Sequence, residues 1–273
     1  MTQKFSIGSE WLYYKIYMGY QTTDTVLLRY LQPIINQLKK EKRIKKWFFI
    51  RYNDPEPHIR LRFLVNNVSS IGTIVELLHK KTKPLLQNDV IWNIQTDTYE
   101  RELERYGHNF IEISETLFEY SSENTLAFIK QKPNFTAVEQ LLYGMLAVEI
   151  FLRSFGFTQQ EKFNFTALLR ESFRKEFEVD KNLNAEMNQF YNQHAHAIIL
   201  AIQEPFMFCQ IFKTLNKQLL KEAKTCQKKP TFSFFSSHIH MIINRLYTSK
   251  QRNHELLIYE FLYKYYKTAH YKN

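Results

Sequence analysis

The stretch that decides the fold runs from Trp47 to Phe63 and reads WFFIRYNDPEPHIRLRF. Residues 47–52 are apolar or aromatic apart from Arg51, which is typical of a short buried strand. Residues 53–57 favour a turn, because Asn and Asp bond to their own backbone and each Pro restricts φ. Residues 58–65 then alternate between polar and apolar side chains, as a return strand does. The stretch therefore predicts a β-hairpin.

The alternation of the return strand separates apolar from basic side chains, because successive residues of a strand point to opposite faces. One face carries Ile59, Leu61 and Phe63, and the other carries His58, Arg60 and Arg62. Next-but-one residues lie about 6.5–7 Å apart, so two guanidinium groups can converge on one anion. We expect Arg51, on the partner strand, to join them. The alternative interpretation is an ordinary solvated sheet face.

The elements around the hairpin predict a mixed α+β arrangement in the first part of the chain. Asp24 is the predicted N-cap of a helix over 25–41, which contains Pro33 and can kink there. Ser69 or Ser70 is predicted to cap a second helix that ends near Lys81. The predicted strands outside the hairpin cover 10–18 and 90–96.

Helical periodicity dominates from residue 109 onward. The predicted helices span 110–129, 137–154, 158–179, 184–202, 205–226, 234–247 and 253–266. The composition shifts near residue 108. We therefore predict a single domain over 1–273, in which a sheet-bearing part (1–108) has an antiparallel sheet with flanking helices. A mainly helical part (109–273) is predicted to pack against it.

The composition narrows the class of protein. The chain has 273 residues, of which 44% are hydrophobic, which suffices for a sizeable core. It has no apolar run long enough for a membrane span and no signal-peptide core, so we expect a cytosolic protein. Cys209 and Cys226 lack the spacing of a zinc site and are not expected to form a disulfide. The formal charge of +10 permits an anionic partner without requiring one.

Residues 49–62 resemble the signature of the small C-terminal elimination domain of lantibiotic dehydratases. The same domain occurs as a free-standing protein in thiopeptide-type bacteriocin pathways. Residues 11–17 look like that domain's first strand, 99–107 like its second signature and 237–246 like its third. The four motifs occur in the expected order and span nearly the whole chain.

The resemblance assigns roles to individual residues. It implies that Arg60, Arg62, Arg105 and His240 are catalytic. It implies substrate-binding roles for Arg51, His58, Glu102, Asn244 and Arg245. One departure concerns the second motif, where the family often has a second glycine and this chain has His108. His238 and His240 are two residues apart on a predicted helix and should point in different directions.

The reaction that the resemblance implies is β-elimination. A partner dehydratase subunit esterifies a Ser or Thr of a precursor peptide with glutamate taken from glutamyl-tRNA. The elimination domain then removes glutamate and leaves dehydroalanine or dehydrobutyrine, as the lyase component of a split dehydratase. A histidine can take the Cα proton, and preorganised arginines can stabilise the developing negative charge. We expect no metal, no organic cofactor and no direct nucleic-acid binding.

Three alternatives remain open at this point. The pyridine-forming cycloaddition enzymes of thiopeptide pathways look like descendants of the same domain. A non-catalytic subunit that binds precursor peptide is a second alternative, and a nucleic-acid binder is a third. The presence of Arg60, Arg62, Arg105 and His240 together favours elimination over the first two, and no recognisable nucleic-acid module supports the third.

Overall fold

The structure is a computed structural model that describes residues 2–204, 206–226 and 228–270. It divides into two units, residues 1–131 and 132–273. The predicted α+β class is confirmed: the strands lie in the first unit, and the second unit is helical where it is described. The division falls after Gln131, well beyond the composition shift near 108. The reason is that the helix Ile111–Gln131 packs on the sheet of the first unit.

The first unit is built on a four-stranded antiparallel sheet. Its strands are β2 (Trp11–Tyr17), β3 (Ile44–Tyr52), β4 (His58–Val65) and β5 (Asn93–Thr96), and their order in the sheet is β3-β4-β2-β5. The hairpin predicted from the sequence is β3 and β4, and the return strand has the predicted bounds. A second, two-stranded sheet pairs β1 (Lys4–Phe5) with β6 (Tyr99–Glu100). The sequence did not predict this small sheet.

The helices of the first unit are α1 (Tyr20–Val26), a π-helical turn (Leu27–Leu31), α2 (Gln32–Lys40), α3 (Ile71–Gln87), α4 (Leu103–Tyr106) and α5 (Ile111–Gln131). All of them except α4 contribute side chains to the core on the apolar face of the four-stranded sheet. Tyr106 of α4 packs instead against Phe118 of α5. Ile59, Leu61 and Phe63 are fully buried in this core, as predicted. Burial of three such side chains contributes several kcal/mol to folding, at about 1.5–3 kcal/mol each.

Two predictions about helix ends are wrong. The first helix starts at Tyr20 after Gly19, so Asp24 lies inside it and is not its N-cap. Asp24 is instead an ion-pair partner, as described below. The second helix extends to Gln87 rather than ending near Lys81. Ser70 is its N-cap residue, as predicted, but makes no side-chain capping bond, and the side chain of Asn67 caps the turn before it. The π-helical turn lies just before Pro33, whose missing N–H cannot continue a regular α-helical ladder.

The second unit contains six described α-helices: α6 (Ala137–Ser154), α7 (Gln159–Glu176), α8 (Lys181–Gln203), α9 (Cys209–Thr225), α10 (Phe232–Leu246) and α11 (Gln251–His270). They match the predicted helices to within a few residues. The predicted helix over 205–226 began at Pro205, which lies outside the described residues. Helix α6 is central, with nearly continuous burial from Leu141 to Leu152. A Cβ on Gly144 would come within 2.9 Å of Ile258, so glycine permits close approach of α6 and α11.

Among the described helices, none is long and apolar enough to cross a membrane. Both cysteines are free thiols. In the described part of the chain, no cluster of three or more His, Cys, Asp or Glu is arranged to hold a metal ion.

Candidate active site

The basic side chains of the hairpin lie on the sheet face opposite the apolar core. In the register, Arg62 of β4 lies between Tyr13 of β2 and Phe48 of β3. One step along, Arg60 lies opposite Lys15. Because directly paired residues of antiparallel strands share a face, these five side chains project on the same side of the sheet. The predicted basic face is therefore present, and aromatic side chains enclose part of it.

Arg62 is buried among aromatic rings. Its side chain is only 7% exposed, and its Cζ lies 4.2 Å from the ring centre of Tyr13, 4.9 Å from Tyr99 and 5.3 Å from Phe48. Its Nε has no hydrogen-bond partner, and no carboxylate pairs with the guanidinium among the described residues. Burial lowers the pKa of Arg62 from its usual value, which is the expected effect of desolvating a cation. The solvated-face interpretation is therefore wrong for Arg62.

Arg60 is half-buried and packs against Tyr52. Its Cζ lies 3.4 Å from the centre of the Tyr52 ring, and its Nε donates a hydrogen bond of 3.2 Å to Nε2 of His58. The stacking and the hydrogen bond hold the guanidinium at a defined orientation. His58 is itself buried, at 3% exposure, and contacts Arg60 rather than open solvent.

Arg51 does not join this group, which corrects the prediction made from the sequence. It pairs with Ile59 in the register, so it projects from the apolar face. There it is 4% exposed, and its Nη2 lies 2.6 Å from Oδ1 of Asp24. Arg51 is thus paired with a carboxylate on the core side of the sheet, away from Arg60 and Arg62. The prediction failed because the residue opposite Arg51 depends on the register, which the turn length determines.

The second motif approaches Arg62 from the segment that follows β5. Tyr99 contributes one of the rings that surround Arg62, and the negative charge of Glu102 acts on the Arg62 guanidinium. Glu102 also forms an ion pair of 3.0 Å with Nε of Arg105, as the i, i+3 spacing predicted. Both of these side chains are 55% exposed. The motif therefore places an accessible carboxylate and an accessible arginine beside the basic face.

Arg101, from the same motif, has a different environment. Its Nε and Nη2 bind the carboxylate of Glu115 at 2.7 and 2.8 Å, and both residues are buried. This bidentate pair connects the motif to α5. The motif closes at Gly107, whose φ of +77° favours glycine. The loop geometry is thus compatible with His108, which follows the glycine that the backbone requires.

His240, on α10 of the second unit, forms a hydrogen bond with a buried carboxylate. Its Nδ1 lies 3.0 Å from Oε1 of Glu255, and its side chain is 32% exposed. Glu255 is only 1% exposed and also accepts hydrogen bonds from Arg252 and the Tyr259 hydroxyl. A carboxylate at Nδ1 places the proton of the neutral imidazole on that nitrogen. Nε2 then has its lone pair available to accept a proton.

The other residues of the third motif have mainly internal contacts. His238 is 3% exposed, and burial lowers its pKa well below the usual value. It therefore diverges from His240, as predicted. Arg245 is 1% exposed and donates to the Met241 carbonyl oxygen at 2.9 Å. Arg245 is therefore held by internal contacts, and its assignment as a substrate-binding residue stays a prediction. Asn244 is half-buried, and its assigned role stays a prediction.

The first unit thus brings together Arg60, Arg62, Glu102 and Arg105, although they come from two separate motifs. The second unit supplies His240 with Glu255. That all of them line one cleft stays a prediction.

Sequence reasoning missed several residues that shape these sites: Tyr13, Tyr52, Tyr99 and Glu255. A signal existed for Tyr13, because it alternates with Leu12 and Tyr14 on a predicted strand. No signal identified Glu255, which comes from the following helix and meets His240 only through helix packing. Long-range pairs of this kind have no sequence periodicity.

The family described as Lantibiotic biosynthesis dehydratase C-term matches residues 11–266. The chain therefore belongs to the family of C-terminal domains of lantibiotic biosynthesis dehydratases. This finding confirms the resemblance seen in the four sequence motifs.

Individual relatives agree with this assignment. The nisin biosynthesis protein NisB of Lactococcus lactis subsp. lactis is 29% identical over 277 aligned positions, which cover 96% of this chain and 26% of NisB. The structure of the tRNA-dependent lantibiotic dehydratase MibB from Microbispora sp. 107891 has a TM-score of 0.76 at 16% identity, covering 100% of this chain and 29% of MibB. The chain thus spans about a quarter of the curated relatives' length.

The fold is also similar to that of an enzyme named for a different activity. The structure of the pyridine synthase TbtD, from thiomuracin biosynthesis, has a TM-score of 0.62 at 9% identity. The match covers 97% of this chain and 99% of that enzyme. At this identity the similarity concerns the fold alone.

Proposed function

We propose that this protein eliminates glutamate from glutamylated Ser or Thr residues of a ribosomally synthesised precursor peptide, leaving dehydroalanine or dehydrobutyrine. The observation that carries the proposal is the buried Arg62 guanidinium, which has no carboxylate partner among the described residues. A buried charge without a partner is costly, and proteins rarely keep one without a use. A carboxylate that arrives with the substrate would complete the site.

The glutamyl ester has suitable carboxyl groups. Glutamate transferred from glutamyl-tRNA is linked through its α-carboxyl group, so its side-chain carboxylate remains free. The ester carboxyl becomes a second carboxylate when the Cβ–O bond breaks. Arg60, Arg62 and Arg105 offer donors for both groups, and planar guanidinium donors suit carboxylates.

His240 is the proposed base. Its Nε2 accepts the Cα proton while the Cβ–O bond breaks and the Cα–Cβ double bond forms, so that glutamate leaves with the bonding electron pair. The carboxylate of Glu255, 3.0 Å from Nδ1, stabilises the imidazolium that results. Glu102 is the alternative base, because it is accessible and its charge acts on Arg62.

The proposal implies defined partners. The precursor peptide is the substrate, and the ester is made by a glutamylating dehydratase subunit that uses glutamyl-tRNA. The resemblance to the family supports both, and the reaction proposed here needs no tRNA and no ATP itself.

The test is an elimination assay on pre-glutamylated peptide. Purified protein is incubated with glutamylated precursor without tRNA or ATP, and the products are weighed by mass spectrometry. We expect loss of glutamate with formation of the dehydro residue. Activity on unmodified peptide, or an absolute need for tRNA, would refute the proposal.

The second candidate is pyridine formation, favoured by the match to the pyridine synthase over nearly that enzyme's whole length. A pyridine-forming enzyme acts on peptide that already contains dehydroalanine and leaves the glutamyl ester intact. Parallel assays with the glutamylated peptide and with the peptide that contains dehydroalanine therefore distinguish elimination from pyridine formation.

A further inference from the structure

His58 has a tautomer that its two hydrogen-bond partners determine. Its Nδ1 lies 2.8 Å from the carbonyl oxygen of Glu56, and its Nε2 lies 3.2 Å from Nε of Arg60. A carbonyl oxygen only accepts, so Nδ1 must carry the proton. A guanidinium only donates, so Nε2 must be the acceptor. The imidazole in this arrangement is therefore neutral, with its proton on Nδ1.

The environment of His58 keeps the ring in this state. The ring is 3% exposed and packs 4.6 Å from Tyr17 and 5.5 Å from Tyr52, measured between ring centres. Burial lowers the pKa of His58, and the charges of Arg60 and Lys15 act in the same direction. The bond to the Glu56 carbonyl and the charge of Asp54 oppose them without reversing the shift.

The consequence concerns the orientation of Arg60. Its Nε is occupied by His58, and one face of the guanidinium lies 3.4 Å from the Tyr52 ring centre. The guanidinium edge that includes Nε is therefore already engaged by a hydrogen bond within the protein. The two terminal nitrogens form the remaining bidentate edge, and among the described residues no carboxylate pairs with them.

We propose that His58 is a positioning residue that orients the Arg60 guanidinium against Tyr52 and directs its two terminal nitrogens toward a substrate carboxylate. The proposal rests on the proposed function for the identity of that carboxylate. It changes the role assigned to His58 from the sequence, because the ring contacts Arg60 and does not bind the substrate as a cation.

The first test is spectroscopic and needs no substrate. In ¹H–¹⁵N spectra, a hydrogen-bonded Arg60 Nε–H should give a signal protected from exchange with water, assigned by its loss in Arg60→Lys. His58→Leu removes the acceptor and should abolish the protection. His58→Gln places an amide oxygen near the position of Nε2 and should restore much of it. A signal equally protected in wild type and His58→Leu would overturn the proposal.

The second test is a double-mutant cycle on elimination. His58→Leu should lower kcat/KM about tenfold in the wild-type background, and His58→Gln should recover most of that loss. In an Arg60→Ala background, His58→Leu should have an effect below about twofold, because its target is already absent. An equal effect in both backgrounds would show that His58 does not act through Arg60.

The two tests separate two kinds of failure. If the wild type does not eliminate glutamate at all, the proposed function fails, while the spectra still decide whether His58 orients Arg60. If His58→Leu does not fold, the comparison of wild type with His58→Gln, in which a change of acceptor should shift the Arg60 Nε–H signal, still decides it. An unshifted signal there would overturn the proposal.

Discussion

The two faces of the β3–β4 hairpin each hold a buried arginine, and the two are held differently. Arg51 is 4% exposed and faces the apolar core, where Asp24 lies 2.6 Å away. Arg62 is 7% exposed and faces the opposite side, among the rings of Tyr13, Phe48 and Tyr99. Burial is therefore similar for the two arginines. They differ in that Arg51 has a carboxylate partner and Arg62 has none among the described residues.

Energetics explain why this difference is informative. An arginine that is buried with its carboxylate recovers part of its desolvation cost through the ion pair. Cation–π contacts are weaker, at about 0.5–2 kcal/mol, and leave the hydrogen-bond donors unsatisfied. Under the proposed function, Arg62 gains a carboxylate partner when the substrate binds, and until then its burial is offset only by the cation–π contacts. Such a trade of stability for function is common at active sites.

The largest effect is expected from substitution of Arg62, the buried arginine without a carboxylate partner. Arg62→Met should lower the elimination rate by about 10³-fold, because transition-state charge loses its preorganised donors. Arg62→Lys keeps the charge but loses the bidentate geometry, so it should not restore activity. The measurement is the rate of glutamate loss by mass spectrometry. Elimination by Arg62→Lys at nearly the wild-type rate would contradict bidentate recognition.

The next effect concerns His240, whose side chain is bound to a carboxylate, as that of Arg51 is, but is more exposed than Arg51. His240 pairs with the buried Glu255 yet is 32% exposed. His240→Ala should slow elimination by at least about 10²-fold while peptide affinity changes little, because a base acts mainly in the transition state. Glutamylated intermediate should accumulate. His196→Ala, at an exposed position of α8, is the matched control.

If His240→Ala eliminates glutamate at nearly the wild-type rate, His240 is not the base. Glu102→Gln would then be the next variant to assay.

The stability of the two arginine variants sharpens the comparison. Arg51→Met should destabilise the protein by roughly 3 kcal/mol, near the low end for a broken buried pair because Asp24 is 19% exposed. Arg62→Met should instead stabilise it by about 1 kcal/mol, because an unpaired buried charge is replaced by an apolar side chain. Urea unfolding measures both. Equal destabilisation by the two substitutions would remove the distinction between the faces.

The smallest effect is a pH dependence on the binding face. The pKa of His58 is lowered in the folded state, so below about pH 6.5 the unfolded state binds the proton more readily. The stability contribution of neutral His58 is therefore complete above that pH and is lost as the pH falls toward the folded-state pKa. His58→Gln should flatten the stability curve between pH 7 and 5. Identical curves for wild type and His58→Gln would contradict this.

Much of the architecture follows from local patterns in the sequence. The alternation of residues 58–65 predicted a strand with Ile59, Leu61 and Phe63 on the core face of the sheet. It placed Arg60 and Arg62 on the opposite face. Helical periodicity likewise determined the helices of the second unit, because apolar spacing reports the local period of the backbone. The i, i+3 pair of Glu102 and Arg105 was predictable for the same reason.

The tertiary structure alone decided which charges have partners. Arg51 pairs with Asp24, 27 positions away in the chain, and His240 pairs with Glu255 on the next helix. The turn length determines the register that turns Arg51 toward the core, and helix packing brings Glu255 to His240. Such pairings depend on distances between segments, and no local spacing encodes them. The same reason explains why the sequence identified Arg62 as a candidate binding residue but did not show that aromatic rings, rather than a carboxylate, surround it.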